Sequence, residues 1–162
     1  MSRASACEGS ETPSMAIPQF TEHGWLPEGV HDGTLEEAAE QFGRFQHSDR
    51  RPQLWARFLE FVGEAKSCGL IDAILVDGSF VTAEPAPHDI DLILVVSATH
   101  DFSEDFQPSA YNILSKRQVH RRFGFDILVS RPDSEEYRRY VEFYQQVRLE
   151  PDHKKGIVRI RL

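Results

Sequence analysis

The sequence predicts an α+β fold, a small mixed β-sheet with helices packed against it in one domain. Three observations lead there. Ile71 to Val76 (IDAILV) and Ile90 to Val96 (IDLILVV) are short runs dense in Ile, Leu and Val, the pattern of strands covered on both faces. Stretches with apolar residues at helical spacing stand before and after these runs. The 162 residues, 40% of them hydrophobic, are enough to bury one core without disulfide or zinc staples.

In chain order, residues 1 to 17 are rich in Ser, Glu, Pro and small residues without periodicity, and are expected to form a disordered tail before a domain over residues 18 to 162. FTEHGWLPEGVHDG, from Phe20 to Gly33, is punctuated by Gly and Pro and is expected to be irregular, anchored by Phe20, Trp25 and Leu26. TLEEAAEQFG predicts a short helix: Thr34 and Glu37 have capping-box spacing, and Gly43 closes it. PQLWARFLEFVGEAKSCG predicts a long one, with Leu54, Phe58, Phe61, Val62 and Ala65 on one face and Gly69 as its stop. After the two strands and Pro108, SAYNILSKRQVHRRF reads as a helix, and FGFDILVS as a third strand with Asp126 inside it. PDSEEYRRYVEFYQQV predicts a helix started by Pro132 and Asp133, its stripe of Tyr137, Tyr140, Val141 and Tyr144 facing the core or a second subunit. GIVRIRL alternates apolar and basic residues like an edge strand.

Composition excludes several classes. No apolar run approaches the roughly 20 residues that span a bilayer, so no membrane partner is expected. The opening MSRASACEGSETPSM lacks the apolar centre of a secretory signal, which leads us to expect a cytoplasmic protein. Cys7 and Cys68 have neither metal-site nor disulfide spacing. A net charge of -8 argues against a protein that coats nucleic acid non-specifically, and leaves room for one local basic site.

The chemistry concentrates in VDGSFVTAEPAPHDIDLILVV. Asp89 and Asp91, two apart at the head of a strand, are expected to point the same way. Two carboxylates on one face repel unless a cation lies between them, and oxygen-only ligands favour magnesium or manganese. Asp126, again among apolar neighbours, is the candidate for a third acid from an adjacent strand. Gly78 and Ser79 follow a strand; glycine lets a ligand approach the backbone, and successive amides with a serine hydroxyl hold phosphate oxygens.

The order apolar-Gly-Ser, a short gap, Asp-apolar-Asp-apolar and later apolar-Asp-apolar resembles the signature of the polymerase-beta-type nucleotidyltransferase superfamily, especially its minimal prokaryotic members. The resemblance covers roughly residues 54 to 130, and LPEGVH, VDGSFVT and KGIVRI resemble one bacterial branch of it. It implies that Gly78 and Ser79 hold the triphosphate while Asp89, Asp91 and Asp126 bind magnesium ions. The implied reaction moves a nucleoside monophosphate from a nucleoside triphosphate to an acceptor hydroxyl on RNA or on a partner protein, as in toxin–antitoxin pairs. One departure stands out: FVTAEP follows Gly-Ser where many relatives place a basic residue and a second glycine.

Other residues carry two readings. Lys116, Arg117, Arg121 and Arg122 form either a solvated helix face or a contact for triphosphate or acceptor RNA. Lys154, Lys155, Arg159 and Arg161 are equally ambiguous. His88 is expected to be a loop histidine, and His31, His47, His100 and His153 to lie at the solvated surface. The resemblance implies that the short stretch after Asp126 leaves a nucleotide pocket incomplete, and a second subunit or a partner is expected to finish it. The competing class is a non-catalytic module of the same fold that binds and restrains a partner protein.

Overall fold

The computed structural model describes residues 17–44, 46–101, 103 and 105–162. The expected tail lies outside the described residues except at Ile17, which is buried in the core. Five strands, β1 (Gly29–Gly33), β2 (Ile71–Asp77), β3 (Asp91–Val96), β4 (Asp126–Ser130) and β5 (Gly156–Arg161), form one mixed sheet of order β1-β5-β2-β3-β4. β1 runs parallel to β5 and β3 parallel to β4, while β2 is antiparallel to both β3 and β5. The α+β class is as the sequence predicts.

Two strands differ from expectation. β5 is interior, between β1 and β2, and is not an edge. Its Arg159 meets an acid in place of solvent, forking onto both oxygens of Asp32 in β1 at 2.6 and 2.9 Å. β1 forms within the segment expected to be irregular; GVHDG carries one large aliphatic residue, and its order comes from in-register pairing with β5, from Gly29 with Gly156 to Gly33 with Ile160.

The two sheet faces have separate cores. Ile74, Val76, Leu92, Leu94, Val96, Ile127, Val158 and Ile160 point to one side. That side is covered by α1 (Leu35–Ala38) with the π-helical turn Ala39–Gly43, by α2 (Arg50–Cys68), and by α3 (Pro108–Leu114) and α4 (Lys116–Phe123). α2 buries Leu54, Phe58, Phe61, Val62 and Ala65, and Gly69 ends it at φ 70, in the left-handed region that glycine enters without strain. The capping box forms: Glu37 N–H donates to Thr34 Oγ1 at 3.1 Å and Thr34 N–H to Glu37 Oε2 at 2.8 Å. The single helix expected before Asp126 is two, because Ser115 leaves helical geometry and caps α4 by accepting from Gln118 N–H at 3.3 Å.

On the other side, Ala73, Leu75, Ile93, Val95 and Ile157 meet α5 (Glu135–Gln145) through Tyr144, with Tyr137, Tyr140 and Val141 packed alongside. The tyrosine stripe is therefore core. α5 begins after Ser134, whose hydroxyl caps Tyr137 N–H, not at Pro132 and Asp133.

Candidate active site

The sheet register sets three acids in a row. Asp77, the last residue of β2, pairs with Asp91, the first of β3, and Asp91 pairs with Asp126, the first of β4. Paired residues in a sheet project to the same face, and strand alternation puts these three on the α5 side with Leu75 and Ile93. Asp77 escaped the sequence reading; its signal is a carboxylate at the end of an apolar strand, immediately before Gly-Ser.

Asp89 is not on the strand. It lies just ahead of β3, exposed, with Ile90 fully buried between it and Asp91. Its Oδ1 accepts from Ser79 N–H at 3.1 Å and from Ser79 Oγ at 2.7 Å, while Ser79 Oγ accepts from His88 N–H at 2.9 Å. Gly78 has φ 94, and a Cβ there would stand 2.9 Å from the Asp89 carbonyl oxygen. Only glycine fits such a close approach. The Gly-Ser turn and Asp89 thus form one unit, and the amide and hydroxyl that the sequence assigns to phosphate bond the carboxylate here.

The loop between that turn and Asp89 is held by the first turn of α2. Arg51 is buried and donates to the carbonyls of Phe42 (3.2 Å), Phe80 (2.7 Å), Thr82 (2.6 Å) and Glu84 (2.6 Å). Arg50 donates to those of Pro87 (3.0 Å) and His88 (2.9 Å). Burial draws the Arg51 guanidinium below its usual range, and the charge of Glu84 opposes the shift. Sequence reasoning missed both arginines.

Electrostatics separates the acids. Asp77 is buried and 2.7 Å from Lys155 Nζ; burial pushes its carboxyl up and Lys155 opposes. Asp126 is exposed, with Oδ1 3.1 Å from His120 Nδ1. Asp91 accepts no side-chain hydrogen bond from the described residues. Burial first, then the charges of Asp89, Asp77 and Asp126, push it up to about 6. Tyr144 donates to Leu92 O at 3.3 Å, and burial with the nearby acids raises its phenol well above the ordinary value. A groove of about 390 Å³ opens beside the row, with Asp91 and Asp126, Lys116, and the aromatic pair Phe143 and Tyr144 in its walls.

The basic residues do not act as one patch. Lys116 reaches this groove, but Arg122 bonds Glu64 at 2.7 Å and borders a separate cavity of about 530 Å³ on the α2–α3 side. Arg117 and Arg121 are exposed and pair with no carboxylate among the described residues. Lys154 approaches Glu28 at 3.8 Å, and Arg161 approaches Asp32 at 4.0 Å. His88 is an exposed loop residue, as expected. His31 corrects the expectation of a surface residue: it is half-buried, with Nε2 2.6 Å from Pro27 O, beside Gly156, whose missing side chain makes room for the ring.

A family model matches residues 18–161, nearly the whole chain. The chain belongs to the DUF6932 family. That family is described as one of unknown function. No curated protein and no solved structure matches the chain. The acid row, the Gly-Ser turn and Lys155 all lie within the stretch that the DUF6932 model spans. Among the described residues, no three His, Cys, Asp or Glu side chains are grouped to hold a metal ion, and no helix is long and apolar enough to cross a membrane.

Proposed function

We propose that the protein is a magnesium-dependent nucleotidyltransferase. It would transfer a nucleoside monophosphate from a nucleoside triphosphate to an acceptor hydroxyl, on RNA or on a partner protein such as a toxin–antitoxin mate, in the cytoplasm. The observation that carries this reading is Asp91: a half-buried carboxylate in a row of acids, with no side-chain donor among the described residues and only the charge of Lys155 to offset its neighbours.

The donors fit magnesium. All are carboxylate oxygens, and that ion commonly takes one or two carboxylates and completes its shell with water and phosphate, so a three-acid cage is not required. Asp89 and Asp91 would hold it, with Asp126 beside them; manganese is the alternative. When bound, the ion neutralises charge on the phosphoryl oxygens. Gly78 and Ser79 fix Asp89, and Lys155 cancels the charge of Asp77 so that the row is not overloaded. Asp126, exposed and paired with His120, would take or orient the acceptor's proton. The acceptor oxygen then bonds to the α-phosphorus while the bond to pyrophosphate breaks, and catalysis rests on positioning.

Asp89→Asn and Asp91→Asn are each expected to abolish magnesium-dependent transfer of labelled nucleotide into bulk RNA or lysate protein, with the circular dichroism of the folded state kept. Normal transfer by either variant would sink the reading. One observation favours the second reading, a non-catalytic module that restrains a partner: the Ser79 amide and hydroxyl are bonded to Asp89. Calorimetry that finds no magnesium-dependent heat with any ribonucleoside triphosphate decides for the module.

A further inference from the structure

We infer that the groove beside the acid row seats the nucleobase, with Phe143 as its stacking face. The inference rests on the nucleotidyltransferase reading and names what that site selects. α5 turns Tyr137, Tyr140, Val141 and Tyr144 toward the sheet. Phe143 lies off that stripe and is 62% exposed, so most of its ring is open to a ligand. It lines the groove, its ring centroid 5.9 Å from that of Tyr144.

The groove's size, about 390 Å³, falls among small-molecule sites, which run from about 300 to 1,000 Å³. Its walls are of two kinds. Asp91, Asp126 and Lys116 are charged, whereas Leu128 and the two aromatic rings are largely apolar. The matching ligand carries charge in one part and a flat apolar surface in another. A nucleoside triphosphate has both: phosphates for the ion-binding acids and Lys116, and a base for Phe143. An inorganic phosphate chain offers nothing to the ring. Among the described residues, no amide or hydroxyl side chain except the Tyr144 phenol lines the groove, and that phenol is bonded to Leu92 O. Recognition by stacking is tolerant of base identity, so purines should bind more tightly than pyrimidines, with little discrimination between adenine and guanine.

The test is calorimetry on the full chain with magnesium, titrating ATP, GTP, CTP, UTP and inorganic tripolyphosphate into wild type, Phe143→Ala and Phe143→Trp. Phe143→Ala should weaken the purine triphosphates about tenfold, leave tripolyphosphate binding unchanged, and be rescued by Phe143→Trp. The inference is overturned if Phe143→Ala binds nucleotides like wild type, if it loses tripolyphosphate in the same proportion, or if wild type binds nucleotides no better than tripolyphosphate. Each of these leaves the acid site standing. Failure of wild type to bind any of the five ligands overturns the nucleotidyltransferase reading, and this inference with it.

Discussion

Asp91 and Asp77 are neighbours in register and burial pushes both carboxyls up, but Lys155 bonds Asp77 at 2.7 Å, whereas Asp91 has no side-chain donor among the described residues and feels Lys155 only through its charge. The consequence is a proton linkage. Asp91 has its carboxyl pushed up to about 6 in the fold, against an ordinary value of 3.8. The native state therefore holds a proton that the unfolded chain releases earlier. The resulting stability is fully present below the unfolded value and is lost as pH rises through about 6. Two units correspond to about 3 kcal/mol, reduced to about 1 to 2 because the group is only half-buried and partly screened by solvent. Asp91→Asn is accordingly expected to melt higher than wild type at pH 7, with the difference gone by about pH 4. Asp32, held low by its hydrogen bonds with Arg159, runs the other way, so the difference between wild type and variant across pH, not the shape of either curve, is the measurement. Magnesium should raise the melting temperature of wild type at neutral pH and leave the variant unmoved. Equal melting at pH 7 without metal would mean that the Asp91 charge is already compensated.

At the scale of elements, the loop from Gly78 to Asp89 has a single 3₁₀ turn, Ser79–Val81, and takes its shape from arginines on a neighbouring helix. Arg51→Met would leave buried carbonyls without donors and is expected to cost about 3 kcal/mol. Arg51→Lys should recover little, since an ammonium cannot spread over four carbonyls as the planar guanidinium does. Arg50→Met, nearer solvent, should cost about 1 kcal/mol. Urea unfolding measures all three, and equal midpoints would show that the loop holds itself. This clamp was illegible in the sequence because its acceptors are backbone oxygens, the farthest 33 residues ahead of Arg51. What was legible is local: the periodicity of α2, the capping box at Thr34, the apolar runs of β2 and β3, and acids at strand heads in Asp91 and Asp126, whereas Asp89, expected on β3, lies ahead of it. What was not depends on distant partners. Asp77 and Lys155 lie 78 residues apart. The arginines of β5 suggested an edge strand, because nothing local says that β1 will lie alongside and offer Asp32. Ser115 divided an expected helix because its hydroxyl competes for a backbone amide, a choice that helical spacing does not register.

Over the whole molecule, a chain of net charge -8 gathers an acid row on one sheet face, while the proposed substrate is itself an anion. Attraction must come from bound cations and from whichever basic side chains face the groove. α4 divides them: Lys116, its first residue, lines the groove, and Arg122, near its end, is committed to Glu64 and stands over the Phe123 ring at 4.8 Å. Lys116→Ala is therefore expected to weaken magnesium–nucleotide binding and to flatten its dependence on salt, whereas Arg122→Ala should leave both unchanged and cost about 0 to 1 kcal/mol of stability, as a surface pair does. Arg117 and Arg121 are exposed without an acidic partner among the described residues, which suits them to a long polyanion more than to one nucleotide. For an RNA acceptor, Arg117→Ala with Arg121→Ala should reduce the slope of log affinity against log salt by about 0.7 for each single-strand phosphate no longer neutralised, and leave nucleotide binding as it was. Titrations at a series of salt concentrations separate the outcomes. An unchanged slope for Lys116→Ala with nucleotide removes the lysine from the site, and an unchanged slope for the arginine pair with RNA leaves a partner protein's hydroxyl as the acceptor.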